Sequence, residues 1–144
     1  MVSPKPADFP RVTPYLYYED VATIFDWLVR AFGFTEKFRM PGPDGKLTHA
    51  ELNCGADGVV MMGNPGPDYT RPATRHSMLY IYVDDVDAHF ARARDAGAKI
   101  TEEPTDVFYG DRRYTALDPE GQEWCFATHV RDVSPEEMAT AAQA

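Results

Sequence analysis

Three groups of residues carry the types and spacings from which chemistry can be built. His49 and Glu51 stand two apart in the alternating segment Leu47–Cys54, so they share one strand face while Ala50 and Leu52 share the other. An imidazole beside a carboxylate can move a proton, supply two ligands of an incomplete metal site, line a pocket as a hydrogen-bonded pair, or decorate a solvated strand edge. Tyr15 with Tyr17, and Tyr80 with Tyr82, show the same spacing. Each tyrosine offers a broad apolar ring and one hydroxyl, at little entropic cost. Arg113 and Thr115 form a third pair, with Tyr109 just upstream, and a guanidinium there suits a carboxylate or phosphate on a ligand.

The remaining reactive groups give less. Cys54 and Cys125 are too few for a disulfide framework and are expected as reduced thiols. Cys125 and His129 share a strand face but stand roughly 13 Å apart along it, too far for a thiolate–imidazole pair. His76, His89 and His129 have no partner by spacing, and His89 is expected on the outer face of its helix.

A repeat positions these residues. Pro14-Tyr15-Leu16-Tyr17-Tyr18-Glu19-Asp20-Val21 matches Leu79-Tyr80-Ile81-Tyr82-Val83-Asp84-Asp85-Val86, each a strand ending in an acidic pair. Asp20 and Asp85 fall where a helix N-cap belongs. The spacing predicts helices over residues 21–32, with Ile24, Trp27, Leu28 and Ala31 inward, and 86–96, with Val86, Phe90 and Ala93 inward. Gly33 and Gly97 stop them. Three strand candidates follow each helix: 35–40, 47–54 and 59–62 in the first half, then 98–102, 105–117 (with a break near Gly110-Asp111) and 123–128. By parity Val12, Pro14, Leu16 and Tyr18 lie under the first helix, and Leu79, Ile81 and Val83 under the second. The opposite faces carry Thr13, Tyr15, Tyr17 and Met78, Tyr80, Tyr82.

The fold class expected is α+β, two βαβββ modules forming a curved mixed sheet with helices on the outer face. The chain of 144 residues suits one domain at 11–130, with modules at about 11–62 and 77–130 joined by the Pro/Gly-rich loop 63–75. Residues 1–10, with three prolines, read as an N-terminal arm, and Ser134-Pro135-Glu136-Glu137 as the capping box of a short helix in the tail 131–144. A formal net charge of −9 argues against a nucleic-acid partner, and no apolar run suggests a membrane span. A cytoplasmic protein is expected, since no targeting segment is visible.

The doubled βαβββ pattern, the strand–Asp–helix openings and the turn Asp118-Pro119-Glu120-Gly121 before the last strand resemble the vicinal oxygen chelate superfamily of glyoxalases, bleomycin-resistance proteins and extradiol dioxygenases. His49–Leu52, Phe108–Arg112 and residues 127–137 resemble a bacterial glyoxalase-like branch of it. The resemblance implies a concave sheet surface as the ligand site, where four of the eight tyrosines would line one cavity or fill it among themselves. It also implies homodimers. Metal-dependent members carry ligands at positions that fall here on Thr13, Met78, Cys125 and either Met61 or Met62, a poor set for a hard dication.

The expectation is therefore a metal-free, cofactor-free protein that binds an aromatic or amphipathic small molecule, as bleomycin-resistance members do. The ligand would meet Thr13, Tyr15, Tyr17, His49, Glu51, Met78, Tyr80, Tyr82, Tyr109, Arg113, Thr115 and Cys125. The alternative is a lyase, isomerase or dioxygenase of the superfamily. A metal-free version would use His49 or Glu51 as general base, with Tyr and Arg113 stabilising an enolate. A third reading makes the tyrosine-rich face only core.

Overall fold

The computed structural model describes residues 2–143, which divide after Ala73 into two compact units. In the first, β1 (Tyr15–Tyr17), α1 (Val21–Phe32), β2 (Thr35–Pro41), β3 (Leu47–Cys54) and β4 (Gly58–Gly63) follow in order. Their sheet runs β1-β4-β3-β2, with β1 parallel to β4 and the other pairs antiparallel. α1 starts where Asp20 accepts from the Thr23 amide at 3.1 Å and stops at Gly33, whose φ of 73° is open to glycine at little cost. Its apolar stripe, Ile24, Phe25, Trp27, Leu28 and Ala31, is buried together with Ala50, Leu52, Val60 and Met62 of the sheet. The arm is tied to β2 by Lys37, which bonds Asp8 at 2.7 Å and lies over the Phe9 ring.

The second unit repeats the plan with β5 (Met78–Tyr82), α2 (Val86–Asp95), β6 (Lys99–Asp106), β7 (Asp111–Leu117) and β8 (Glu123–His129), in the order β5-β8-β7-β6. Asp85 caps α2 through the Ala88 amide, as Asp20 does in α1. Under α2 lie the fully buried Tyr114, Ala116, Trp124 and Phe126, with Trp124 and Phe126 stacked 3° from parallel. The Trp124 indole donates to Asp118, whose other oxygen accepts from the Glu120 and Gln122 amides, so the Asp-Pro-Glu-Gly turn is locked onto the core. α3 (Pro135–Ala142) follows, with Ser134 accepting from the Glu137 amide and Pro135 at its first position.

The α+β plan of two βαβββ modules is thus the observed one. Three local expectations need correction. The strand expected over 98–102 runs on to Asp106, and the break anticipated near Gly110-Asp111 is a turn at 107–110 that separates it from β7. Val12 is 81% exposed because β1 begins only at Tyr15, so parity counted back from the strand carries no meaning there. His89 is half-buried, bonded through Nδ1 to the Tyr114 hydroxyl and packed at a tilt against the Phe126 ring, centroids 4.1 Å apart. It lies three residues after Val86 and four before Ala93, on the inner stripe of α2.

Candidate functional site

Each sheet has a helix-covered face and a tyrosine face, and register decides which side chains meet on the latter. In the first unit one row across the strands is Tyr15, Met61, Glu51 and Phe38, and the next is Tyr17, Gly63, His49 and Met40. Tyr15 and His49 are thus diagonal neighbours across a position with no side chain. A Cβ at Gly63 would overlap the Tyr15 hydroxyl, so glycine there is what lets the phenol reach the imidazole. Tyr15 Oη lies 2.9 Å from His49 Nδ1, and His49 Nε2 lies 2.8 Å from Glu51 Oε2. With Glu51 ionised, Nε2 carries the proton and the neutral ring accepts at Nδ1 from Tyr15. Burial raises the Tyr15 phenol above its ordinary range, with Tyr17 and Glu51 adding to the effect, so it stays protonated.

The second unit solves the same problem differently. Its rows are Tyr80, Cys125, Thr115 and Glu102, then Tyr82, Ala127, Arg113 and Thr105. Beyond them Asp111 faces His129, and the two phenols reach along the sheet to this aspartate, which is only 2% exposed. Tyr80 and Tyr82 both donate to Asp111 Oδ2, at 2.7 and 2.8 Å, and His129 Nδ1 meets Oδ1 at 2.8 Å. Burial alone would push the Asp111 carboxyl up, but bonds from Tyr80, His129 and Tyr82 outweigh it and hold it below the usual carboxylate range. His129 Nε2 lies 2.7 Å from Asp132, and with a carboxylate at each nitrogen its pKa is raised, by Asp132 first and Asp111 second. Tyr109 Oη completes the cluster 3.1 Å from Tyr80 Oη.

Asp111 was not singled out from the sequence, and His129, read there as having no partner, is bonded to Asp111 and Asp132. The cue lay in Tyr109-Gly110-Asp111: Gly110 has φ of 100°, and a Cβ there would overlap the Arg131 carbonyl. Its own carbonyl accepts from the Val130 and Arg131 amides, so the chain leaving β8 is laced to the turn that buries Asp111.

The other anticipated residues fall as follows. Tyr15, Tyr17, Tyr80 and Tyr82 are 37–62% exposed, and Met78 is exposed beside them in sequence. Thr13 is half-buried ahead of β1. Cys125 and Thr115 belong to the tyrosine face yet are buried, Thr115 bonding Thr101 at 2.6 Å. Arg113 lies 3.5 Å from Glu102 through Nε and directs NH1 toward Cys125 Sγ. Burial pushes the Cys125 thiol up while Arg113 pulls it down, and Cys54, pushed up to about 12 by burial, is an inert thiol. His129 is committed to Asp111 and Asp132 rather than to Cys125.

At the positions that hold metal in metal-dependent relatives, register distinguishes the two methionines: Met61 shares the Tyr15 row, and Met62 is buried on the helix side. The hydroxyl and thioether of the first unit, and the thioether and buried thiol of the second, are donors that do not fit a hard dication. Among the described residues no three His, Cys, Asp or Glu side chains gather as metal ligands.

This architecture is that of a known class. The sequence profile of the Glyoxalase/Bleomycin resistance protein/Dioxygenase superfamily matches residues 9–126, and the chain belongs to that superfamily. Among individual proteins, it is 35% identical over 139 residues to an uncharacterised protein of Mycobacterium bovis, covering 92% of this chain and 91% of that one. TioX from Micromonospora sp. ML1 is 37% identical with a TM-score of 0.70, over 84% of this chain and 99% of TioX. TnmS3, an antibiotic binding protein from Streptomyces sp. CB03234, is 24% identical with a TM-score of 0.63, over 81% and 93% of the two chains. Among the described residues no helix is long and apolar enough to cross a membrane.

Proposed function

We propose that this chain, acting through one domain at residues 11–130, binds an aromatic or amphipathic small molecule on its tyrosine faces without a metal, and sequesters it rather than transforms it. The observation that carries this reading is the state of the tyrosines. Their rings stay exposed while Tyr15, Tyr80 and Tyr82 are fixed at their hydroxyls. A core filled by tyrosines would bury the rings, and a solvated surface would leave the hydroxyls unheld. Rings held in place and left uncovered lose little entropy when a flat ligand lies on them. Membership of a superfamily that includes bleomycin-resistance proteins supports binding as the class of function. TnmS3 shares the fold, and at 24% identity that likeness leaves the ligand to the site's own chemistry.

The test is thermal-shift and calorimetric screening against aromatic and glycopeptide-like compounds, followed by Tyr15→Ala and Tyr80→Ala. Each substitution should weaken the hits by about tenfold, the worth of one well-packed ring. Unchanged affinity in both variants would sink the reading. The chain is further proposed to act as a homodimer in the cytoplasm without nucleic acid, which sedimentation and cell fractionation check.

A second reading rests on the Tyr15–His49–Glu51 chain. Glu51 orients the imidazole, and His49 and Tyr15 could pass a proton to or from a carbon acid within the first unit. Product formation from a panel of α-carbonyl substrates, lost in His49→Gln, would favour it over sequestration.

A further inference from the structure

The proton inventory of the second unit goes further than its shape. Asp111 is a buried carboxylate and can only accept, so Tyr80 and Tyr82 must both give it their single hydroxyl proton. Tyr80 then has none left for Tyr109, so Tyr109 donates to Tyr80. His129 spends both ring N–H groups on Asp111 and Asp132. Arg113, within electrostatic reach of Tyr109, is ion-paired to Glu102 at 3.5 Å and directs NH1 toward Cys125, while its buried Nε–H makes no hydrogen bond. All three phenols therefore turn their protons into the protein, and their oxygens can offer only lone pairs outward.

The rings add to this polarity. Tyr80 and Tyr82 meet edge-to-face at 5.6 Å, and Phe108 and Tyr109 do so at 5.3 Å; each contact takes up one ring face, and the exposure of Tyr80 and Tyr82 leaves further ring surface open to a ligand. A phenol that donates to a carboxylate is more electron-rich, which strengthens its attraction for a cation.

We propose that the Tyr80–Tyr82–Tyr109 cluster on Asp111 is a subsite for an organic ammonium group, so that the ligand is an amine carried on an apolar body. The inference rests on the small-molecule-binding reading and adds the ligand's charge and hydrogen-bond polarity to it. An anionic ligand would meet phenol lone pairs and no free proton from the phenols, with Arg113, already ion-paired to Glu102, as its one source of donors nearby. A protonated amine has N–H donors for those lone pairs and a charge for the rings.

Three probes of matched shape test it on the full chain by calorimetry and ligand-observed NMR: 4-phenylbutylamine, 4-phenylbutanol and 4-phenylbutyrate. The amine should bind about tenfold tighter than the carboxylate, the size of one charge-assisted contact, with the alcohol between them. The double variant Tyr80→Phe, Tyr82→Phe keeps the rings and removes two of the three phenol acceptors. It should lower the amine's affinity by about tenfold and leave the alcohol's within about twofold. Thermal melts establish that it is folded. Equal binding of all three probes, or preference for the carboxylate, would overturn the ammonium subsite while leaving sequestration standing. Failure of all three to bind would overturn it too, and the fate of the binding reading would then be decided separately by the Tyr15→Ala and Tyr80→Ala comparison. An amine preference that persists unchanged in the double variant would also overturn it.

Discussion

The two units start from the same sequence device, a Tyr-X-Tyr strand, and finish with different chemistry. In the first, one phenol meets a half-buried imidazole that leans on Glu51. In the second, two phenols and an imidazole converge on one buried carboxylate. The first arrangement needs only a missing side chain at Gly63. The second needs a backbone crossing at Gly110 that brings Asp111 under cover. A polar pair at half-burial can be lost and replaced by water, whereas a buried hub leaves several groups unsatisfied when it goes. Repeats that diverge in this way can keep a common fold and differ in what they cost to alter.

The comparison can be broken at its strongest point first. Gly110→Ala forces a side chain into both a left-handed backbone and the Arg131 carbonyl, and should cost about 3 kcal/mol, or roughly 8 °C in Tm. Gly63→Ala keeps an ordinary backbone conformation and meets a phenol that can swing away together with the Thr48 carbonyl at 2.9 Å, so it should cost less than Gly110→Ala while changing the near-ultraviolet circular dichroism of Tyr15. Equal losses would mean that the close approach at Gly110 is not what holds the second unit.

Next come the carboxylates. Asp111→Ala strands two phenols and His129 and should destabilise by about 2 kcal/mol, against under about 1 kcal/mol for Glu51→Ala. Denaturant melts of the two variants read the difference directly, and a larger loss for Glu51 would reverse the ranking of the units.

The smallest effect is in pH. His129 has a raised pKa when folded, so its contribution is complete below its unfolded value near 6.5 and fades as pH rises through the folded value. Asp111 has a lowered pKa, so its contribution is present above its ordinary 3.8 and fades as pH falls through the folded value. A Tm profile should therefore sag as pH rises above about 6.5, and His129→Gln should flatten that limb alone. A profile unchanged by the substitution would show that the imidazole is not bridging the two carboxylates as a cation.

Much of this plan can be read from the residues themselves. Asp20 and Asp85 predict their helix starts because N-capping is local, and β3 is found at its full length because its alternation is unbroken. The tyrosine parity holds for the same reason. His49 and Glu51 were legible as a pair, since i, i+2 spacing on a strand is a contact. Asp111 was not, because a buried hub drawn from β5, β7 and β8 has no local pattern: its partners lie 18 to 31 residues away. In sequence it reads as a turn residue after Gly110. The inward face of His89 was legible in principle from its spacing to Val86 and Ala93, but a polar residue on a short, weakly amphipathic helix invites the outward assignment. Its partner Tyr114, on β7, is what makes the inward position tolerable.

The two tryptophans of the chain sit one in each unit, Trp27 on α1 against Phe32 and Trp124 on β8 with its indole on Asp118. Trp27 is buried on the inner side of α1 and Trp124 beneath α2, each on the opposite side of its sheet from the tyrosines. The molecule thus carries one fluorophore per repeat, shielded from anything that lands on the tyrosine faces. With Trp27→Phe, emission would follow the second unit alone, and with Trp124→Phe the first. Whether the halves melt as one body or in sequence then becomes a matter of two colour-matched traces from a single untagged chain.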